Sequence, residues 1–217
     1  MKAIILAAGK GQRMQPLTNT TPKPLLTIAG QPLIIYHLKA LAKAGIKDVV
    51  INTWYMGDQI IALVGDGASY GLNVSFSIES ELLDTGGGIV NALPMLGKEP
   101  FIVLSADILT NFPFDTLPTN PTGLAHLVMV DNPDFHLNGD FGLDKGKIKL
   151  GTGNKFTYGN IGVYRPEFFV AAPSGPFPLG NLLRQHIANE LVFGQYYSGV
   201  WYNIGTPADL EMANITL

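Results

Sequence analysis

The chain has no cysteine. That absence excludes disulfides, thiolate nucleophiles and cysteine-ligated zinc together. Charge is also sparse: Asp, Glu, Lys and Arg make up 14% of the 217 residues, and the net charge is −3. Nucleic-acid binders usually carry a net basic field, so nucleic acid is not an expected partner. No apolar run reaches the ~18 residues that cross a bilayer, and the N-terminus reads as a strand with one lysine rather than a leader. A soluble, cytoplasmic protein without a membrane partner is expected. The four histidines, His37, His126, His136 and His186, lack metal-ligand spacing, and nothing resembles a Ser-His-Asp set.

What is present is apolar residues, at 47%, which makes the chain globular rather than disordered. Its length suits one large α/β domain better than two. Ala3 to Ala7 is a short apolar run closed by Ala8-Gly9, which favours a buried parallel strand. Pro32 to Gly45 reads as a helix, with Pro32 in the first turn and Gly45 as its stop. Strands follow at Asp48 to Asn52, Val74 to Ile78 and Phe101 to Leu104, with helices at Asp58 to Val64 and Gly88 to Leu96. This alternation predicts an α/β fold with a doubly wound, mostly parallel sheet, Rossmann-like, whose ligand lies beyond the carboxyl ends of the strands.

The second half reads as strands at Ala125 to Val130, Ile161 to Tyr164 and Val200 to Ile204. A hairpin turn falls at Asp144 to Lys147, and helices at Leu179 to Asn189 and Pro207 to Met212. With no repeat and no linker, residues 1–217 read as a single domain. A first part with the alternating strands and helices spans roughly residues 1–110, and roughly 111–217 add a small β layer.

The first loop carries chemistry. Gly9 and Gly11 leave the backbone free to approach a ligand. Lys10 and Arg13 are cations, and Lys23 stands between Pro22 and Pro24, which hold the chain extended. Bare amides with three cations suit a polyphosphate. The P-loop pattern is absent, and Met14 stands where a dinucleotide fingerprint needs its third glycine. Scattered surface charge is the plain alternative, which the proline-flanked lysine disfavours.

Asp107 ends an apolar strand on the same sheet edge and suits a magnesium ion, which takes one or two carboxylates plus substrate phosphates. A turn cap is the ordinary alternative, and the cationic loop beside it favours the metal. Asp84-Thr85-Gly86-Gly87-Gly88 leaves backbone bare before a helix, for close approach of a base or ribose or simply as a flexible turn. The lack of a general-base set fits phosphoryl or nucleotidyl transfer, where catalysis is mostly positioning and charge neutralisation.

Leu6 to Thr18 (LAAGKGQRMQPLT) followed by Pro22 to Leu25 (PKPL) resembles the signature of sugar-1-phosphate nucleotidyltransferases. Leu83 to Ile89, Ala125 to Val128, Val130 to Pro133, Gly139 to Phe141, Leu182 to Gln185 and Trp201 to Thr206 resemble the branch of N-acetylmuramate α-1-phosphate uridylyltransferases, used in cell-wall recycling. The resemblance implies transfer from UTP to N-acetylmuramate α-1-phosphate with Mg²⁺ as cofactor, the nucleotide bound by roughly residues 1–110 and the sugar by roughly 111–217. Ala8, Gly9 and Gly11 would hold nucleotide through backbone groups. Arg13 would face the leaving pyrophosphate and Lys23 the attacked α-phosphate. Thr85 and Gly86, Gly87 and Gly88 would pack on the base, with Glu79 nearby. Asp107 would bind the metal, and Asp140, Gly159 and Asn160 would lie by the sugar.

Three departures stand out. Ala106-Asp107 replaces the usual Gly-Asp, and Asn203 replaces the aspartate that serves as second metal ligand. A Glu-Lys-Pro segment that grips sugar phosphate in the thymidylyltransferase branch is missing. Two alternatives therefore stay open: a mannose- or glucose-1-phosphate nucleotidyltransferase, and a nucleotide-binding module whose weakened metal site does not turn over.

Overall fold

The computed structural model describes residues 1–151 and 153–216. The chain opens with β1 (Lys2–Leu6), a small ribbon of β2 (Thr27–Ile28) and β3 (Gln31–Pro32), then α1 (Leu33–Lys43), β4 (Asp48–Thr53), α2 (Gly57–Val64), β5 (Asn73–Ile78), α3 (Asp84–Leu96) and β6 (Phe101–Ser105). There follow β7 (Ile108–Thr110), β8 (Ala125–Val130), β9 (Phe141–Asp144), β10 (Lys147–Lys149), β11 (Lys155–Tyr164), α4 (Leu179–Ala188), β12 (Val192–Tyr196), β13 (Trp201–Asn203) and α5 (Pro207–Thr216).

Among the described residues, nine strands form one sheet in the order β5-β4-β1-β6-β11-β8-β12-β10-β9. The first four are parallel. Successive strands step outward from β1 to β5, then β6 returns to the other side of β1. That reversal opens a crevice between the carboxyl ends of β1 and β6. Beyond it the sheet is mixed: β11 runs antiparallel to both β6 and β8, while β12 is parallel to β8.

The expected mostly parallel sheet is thereby corrected to a mixed one; outside it, β7 and β13 pair as a separate two-stranded ribbon. Strands β8 to β12 continue the same sheet, and β9 pairs with both β10 and β11, so its far end closes on itself. Closure removes an exposed edge that would invite pairing with another chain.

Both faces of β4, β1 and β6 are covered, which is why these strands are mostly apolar, whereas the edge strand β5 (NVSFSI) alternates. Period-2 geometry sends Ala3 and Ile5 to one core, with Ile34, Leu38 and Leu41 of α1. Ile4 goes to the opposite core, with Ile89, Ala92 and Leu96 of α3. Each of these large side chains is fully or almost fully buried, which stabilises the fold by roughly 1.5–3 kcal/mol apiece. A third cluster joins Met14, Ile28, Leu33, Leu109, Ile204 and Ala213. Met14, placed where a dinucleotide loop has glycine, is the buried anchor of the first loop.

Candidate active site

The site grows from the ends of the parallel strands. Leu6 is in register with Asn52 on one side and Ser105 on the other. Past these positions the strands splay, and Ala7-Ala8-Gly9 and Ala106-Asp107 line a cavity of about 730 Å³. Two side chains brace its floor. Asn52 Oδ1 accepts the Ala7 N–H at 2.7 Å, and Asn52 Nδ2 donates to Glu79 Oε1 at 2.7 Å. Glu79 Oε2 accepts the Leu83 N–H at 3.1 Å. Burial pushes the Glu79 carboxyl pKa up, while the bonds from Leu83 and Asn52 pull it down.

The first loop sits over this floor. Gly9 has open space where a Cβ would stand, so its backbone is accessible from the cavity it lines. Gly11 is needed for two reasons: its φ is +62°, and a Cβ there would lie 2.9 Å from Thr18 Cγ2. Lys10 lies over the Trp54 ring at 5.0 Å. Arg13 reaches across the crevice, with Nη2 3.3 Å from where a Cβ on Gly205 would stand. Gly205 leads into α5, whose start is fixed reciprocally. Asp209 Oδ2 accepts the N–H groups of Gly205 and Thr206 at 2.9 and 2.7 Å, and Thr206 Oγ1 accepts the Asp209 N–H at 3.3 Å.

Lys23 donates to Asp107 Oδ2 at 2.8 Å. The Lys23 side chain is 11% exposed and that of Asp107 33%. The short strand β7 begins directly after Asp107 and pairs with β13, Asn203 opposite Ile108, and the Ile204 N–H donates to the Asp107 carbonyl at 2.8 Å. His37 of α1 is buried beneath this turn, against the backbone of Ala106 and Ile108. Burial lowers its pKa to about 4, opposed by those backbone groups and the Asp107 charge.

Asp107, at the larger cavity, offers a carboxylate, and Asn203, in the wall of the smaller one, an amide oxygen; both are oxygen donors of the kind a hard divalent cation takes alongside substrate phosphates and water. Among the described residues no group of three His, Cys, Asp or Glu side chains could cage a metal by itself. A metal held here would therefore share its coordination with the substrate.

A second cavity of about 360 Å³ adjoins the first, and Leu6, Arg13, Thr85 and Ser105 line both. Asn160, Asn203, Trp201, Asp140 and Arg184 are in its wall. Asn160 has φ +56° at a bulge where β11 shifts register against β8 between Tyr158 and Gly162. A non-glycine residue in that conformation marks a locally over-determined position, and its side chain meets the cavity. Asp140 is engaged on both oxygens, by His136 Nε2 at 3.0 Å and the Tyr158 N–H at 2.8 Å. The Gly159 carbonyl accepts Trp201 Nε1–H at 2.9 Å.

The structure thus brings together Ala8, Gly9, Gly11, Arg13, Lys23, Thr85 and Asp107 at one cavity, and Asp140, Asn160 and Asn203 at the next. It places others beneath the surface. Glu79 is 4% exposed, and its carboxylate is bonded to Asn52 and the Leu83 N–H. The expected glycine loop at Gly86 to Gly88 is the first turn of α3, which begins at Asp84. These glycines are small because of protein neighbours. A Cβ would lie 2.2 Å from the Phe177 ring at Gly86, 2.6 Å from the Gly175 carbonyl at Gly87, and 2.6 Å from Asn52 Nδ2 at Gly88. Thr85 Oγ1 accepts the Leu179 N–H at 2.9 Å, tying α3 to the start of α4. The sequence alone assigns no site role to Asn52, Ser105, Trp201 or Arg184. Asn52 and Ser105 leave a signal as polar residues ending apolar strands, and Trp201 and Arg184 fall within segments that carry the family resemblance.

A strand-end crevice opening onto two joined cavities, with a cationic glycine loop on one wall, is the architecture of a nucleotide-handling α/β enzyme. Residues 2–143 match the nucleotidyl transferase family, and the chain belongs to that family, among the sugar-1-phosphate nucleotidyltransferases. It is 43% identical over 223 residues to the N-acetylmuramate alpha-1-phosphate uridylyltransferase of Neisseria meningitidis serogroup B, covering 98% of this chain and 96% of that one. It is 31% identical to the mannose-1-phosphate guanyltransferase of Yarrowia lipolytica, covering 96% of this chain but 62% of the relative. Its fold matches the crystal structure of HddC from Yersinia pseudotuberculosis complexed with GMP-PN, with a TM-score of 0.82, 22% identity, and coverage of 99% and 98% of the two chains.

Proposed function

We propose that the protein transfers the uridylyl group of UTP to N-acetylmuramate α-1-phosphate, releasing UDP-N-acetylmuramate and pyrophosphate, in the cytoplasmic recycling of peptidoglycan. The observation that carries nucleotidyl transfer is the pair of adjoining cavities with Arg13 at their junction. The choice of uridine and of N-acetylmuramate rests on similarity along both full lengths to the Neisseria protein. The mannose-1-phosphate guanyltransferase is less similar, at 31% identity against 43%, which disfavours that alternative.

In this reading the triphosphate lies in the larger cavity against the backbone of Ala8, Gly9 and Gly11. The sugar phosphate lies in the smaller one, beside Asn160 and Asp140. An oxygen of the sugar phosphate forms a bond to the α-phosphorus as the α–β bridging bond breaks, and the electron pair leaves with pyrophosphate. The attacking phosphate has a second pKa near ~6, so at neutral pH it is largely dianionic and needs no general base. Lys23 neutralises charge at the attacked α-phosphate. Arg13 stabilises the charge that develops on the departing pyrophosphate. Magnesium held by Asp107 and Asn203 would supply further positive charge to the phosphate oxygens.

The test is product identity. Protein incubated with Mg²⁺, UTP and N-acetylmuramate α-1-phosphate should yield a species with the mass of UDP-N-acetylmuramate. GTP with mannose 1-phosphate yielding the better product would replace this reading by the guanylyltransferase one. Nucleotide binding without product from any pair would leave a binding module.

A further inference from the structure

The smaller cavity has three charged residues in its wall: Arg13, Asp140 and Arg184. Asp140 is spent on His136 and the Tyr158 backbone. Arg13 stands where the two cavities meet, among the phosphates in the proposed reaction. Arg184 is different. It projects from α4 one turn beyond Gly180, and with Gly180 and Leu183 it forms the i, i+3, i+4 face that lines the cavity. Its guanidinium Cζ lies 5.3 Å from the centre of the Phe141 ring. Among the described residues it makes no ion pair with a carboxylate. Its planar fork of donors, supported on an aromatic face and open to the cavity, matches a carboxylate in a two-point bond.

We infer that Arg184 selects an acidic acceptor by pairing with a carboxylate on the sugar itself, at a distance from its 1-phosphate. The inference rests on the proposed function, in which the acceptor is N-acetylmuramate, a sugar whose 3-O-lactyl ether ends in a carboxylate. N-acetylglucosamine α-1-phosphate is the same sugar without that ether. It would leave the guanidinium without a partner, and a site built to bond a missing group discriminates strongly against the analogue.

Two measurements separate this inference from the reading beneath it. The first is binding of each acceptor to protein loaded with a non-hydrolysable UTP analogue. Wild type should prefer the muramate over the glucosamine compound by roughly 100-fold, and Arg184→Ala should cut that preference at least tenfold. Arg184→Lys, which keeps the charge but loses the fork, should fall between them. Unchanged UTP-analogue affinity reports that each variant is folded. Should Arg184→Ala be insoluble, Arg184→Gln with the wild-type preference decides the same point. Equal binding of the two acceptors to wild type, or a preference untouched in the variants, overturns the inference. The second measurement is turnover: the kcat/KM ratio for the two acceptors should fall in parallel, mainly through KM for the muramate compound. No turnover by wild type refutes uridylyl transfer, while the binding experiment still decides Arg184.

Discussion

The Lys23 ammonium donates to Asp107 Oδ2 at 2.8 Å, joining the first loop of the chain to a residue 84 positions later. The proposed reaction gives the lysine to the α-phosphate and the aspartate to magnesium. Both therefore act at one point, and a metal–triphosphate complex entering there exchanges their mutual contact for contacts to itself. Lys23→Ala and Asp107→Ala should each lower kcat by 10²-fold or more. Because the residues work as a unit, the double variant should lose much less than the product of the two single losses. A double-mutant cycle on kcat/KM checks this; fully additive losses would show that the two residues do not act together.

In the proposed site Asn203 would contribute an oxygen without a charge, from the strand that pairs with the one following Asp107. Asn203→Asp should lower the Mg²⁺ concentration for half-maximal velocity roughly threefold to tenfold, since a second carboxylate favours a hard cation. The check is a magnesium titration at saturating substrates. An unchanged midpoint would remove this residue from the metal.

The glycines opening α3 should matter for stability more than for ligand contact. A Cβ on Gly87 would lie 2.6 Å from the Gly175 carbonyl, a backbone atom with little room to yield. Gly87→Ala should cost about 1–3 kcal/mol in denaturant unfolding. If stability holds and only KM for UTP rises, the glycine faces the nucleotide after all.

Stability should also fall toward acid pH because of His37. Burial holds its folded pKa at about 4, against 6.5 unperturbed. Between these values the unfolded chain binds more protons, so stability is lost as pH drops through that window, by about 3 kcal/mol in full. Glu79 acts in the opposite sense. Its folded pKa is raised, so the stability it contributes is present below its unfolded value of 4.5 and is lost as pH rises through its folded pKa. Unfolding free energies at pH 6.5 and 4.5 should differ more in wild type than in His37→Gln. Equal slopes would mean that His37 is not the group responsible.

The parallel half of the fold was legible because its signals are local. Apolar runs such as Ala3 to Ala7 have a length and punctuation that read directly as buried strands, and α1 falls within the helix read between Pro32 and Gly45. The antiparallel half was less so. Gly159 and Asn160 look like a break in sequence, so the local pattern predicts β11 only from Ile161, yet they form a bulge inside one strand running from Lys155 to Tyr164. Gly194 similarly hid β12, where a Cβ would lie 2.7 Å from the Leu127 carbonyl. Glycine in these strands answers to a neighbour distant in sequence, which no local pattern records. The same limit governs the site. The first loop announces itself through motif, while Asn52 sits in an ordinary strand pattern, and Arg184, inside a segment that carries the resemblance, acquires a role only from what the fold sets beside it.

The central claim is transfer between two bound substrates, and pyrophosphate release tests it most directly. With Mg²⁺ present, the protein should release pyrophosphate only when a nucleoside triphosphate and a sugar 1-phosphate are supplied together, fastest with UTP and N-acetylmuramate α-1-phosphate. Release from UTP alone at the same rate, or none from any pair despite nucleotide binding, would contradict the account.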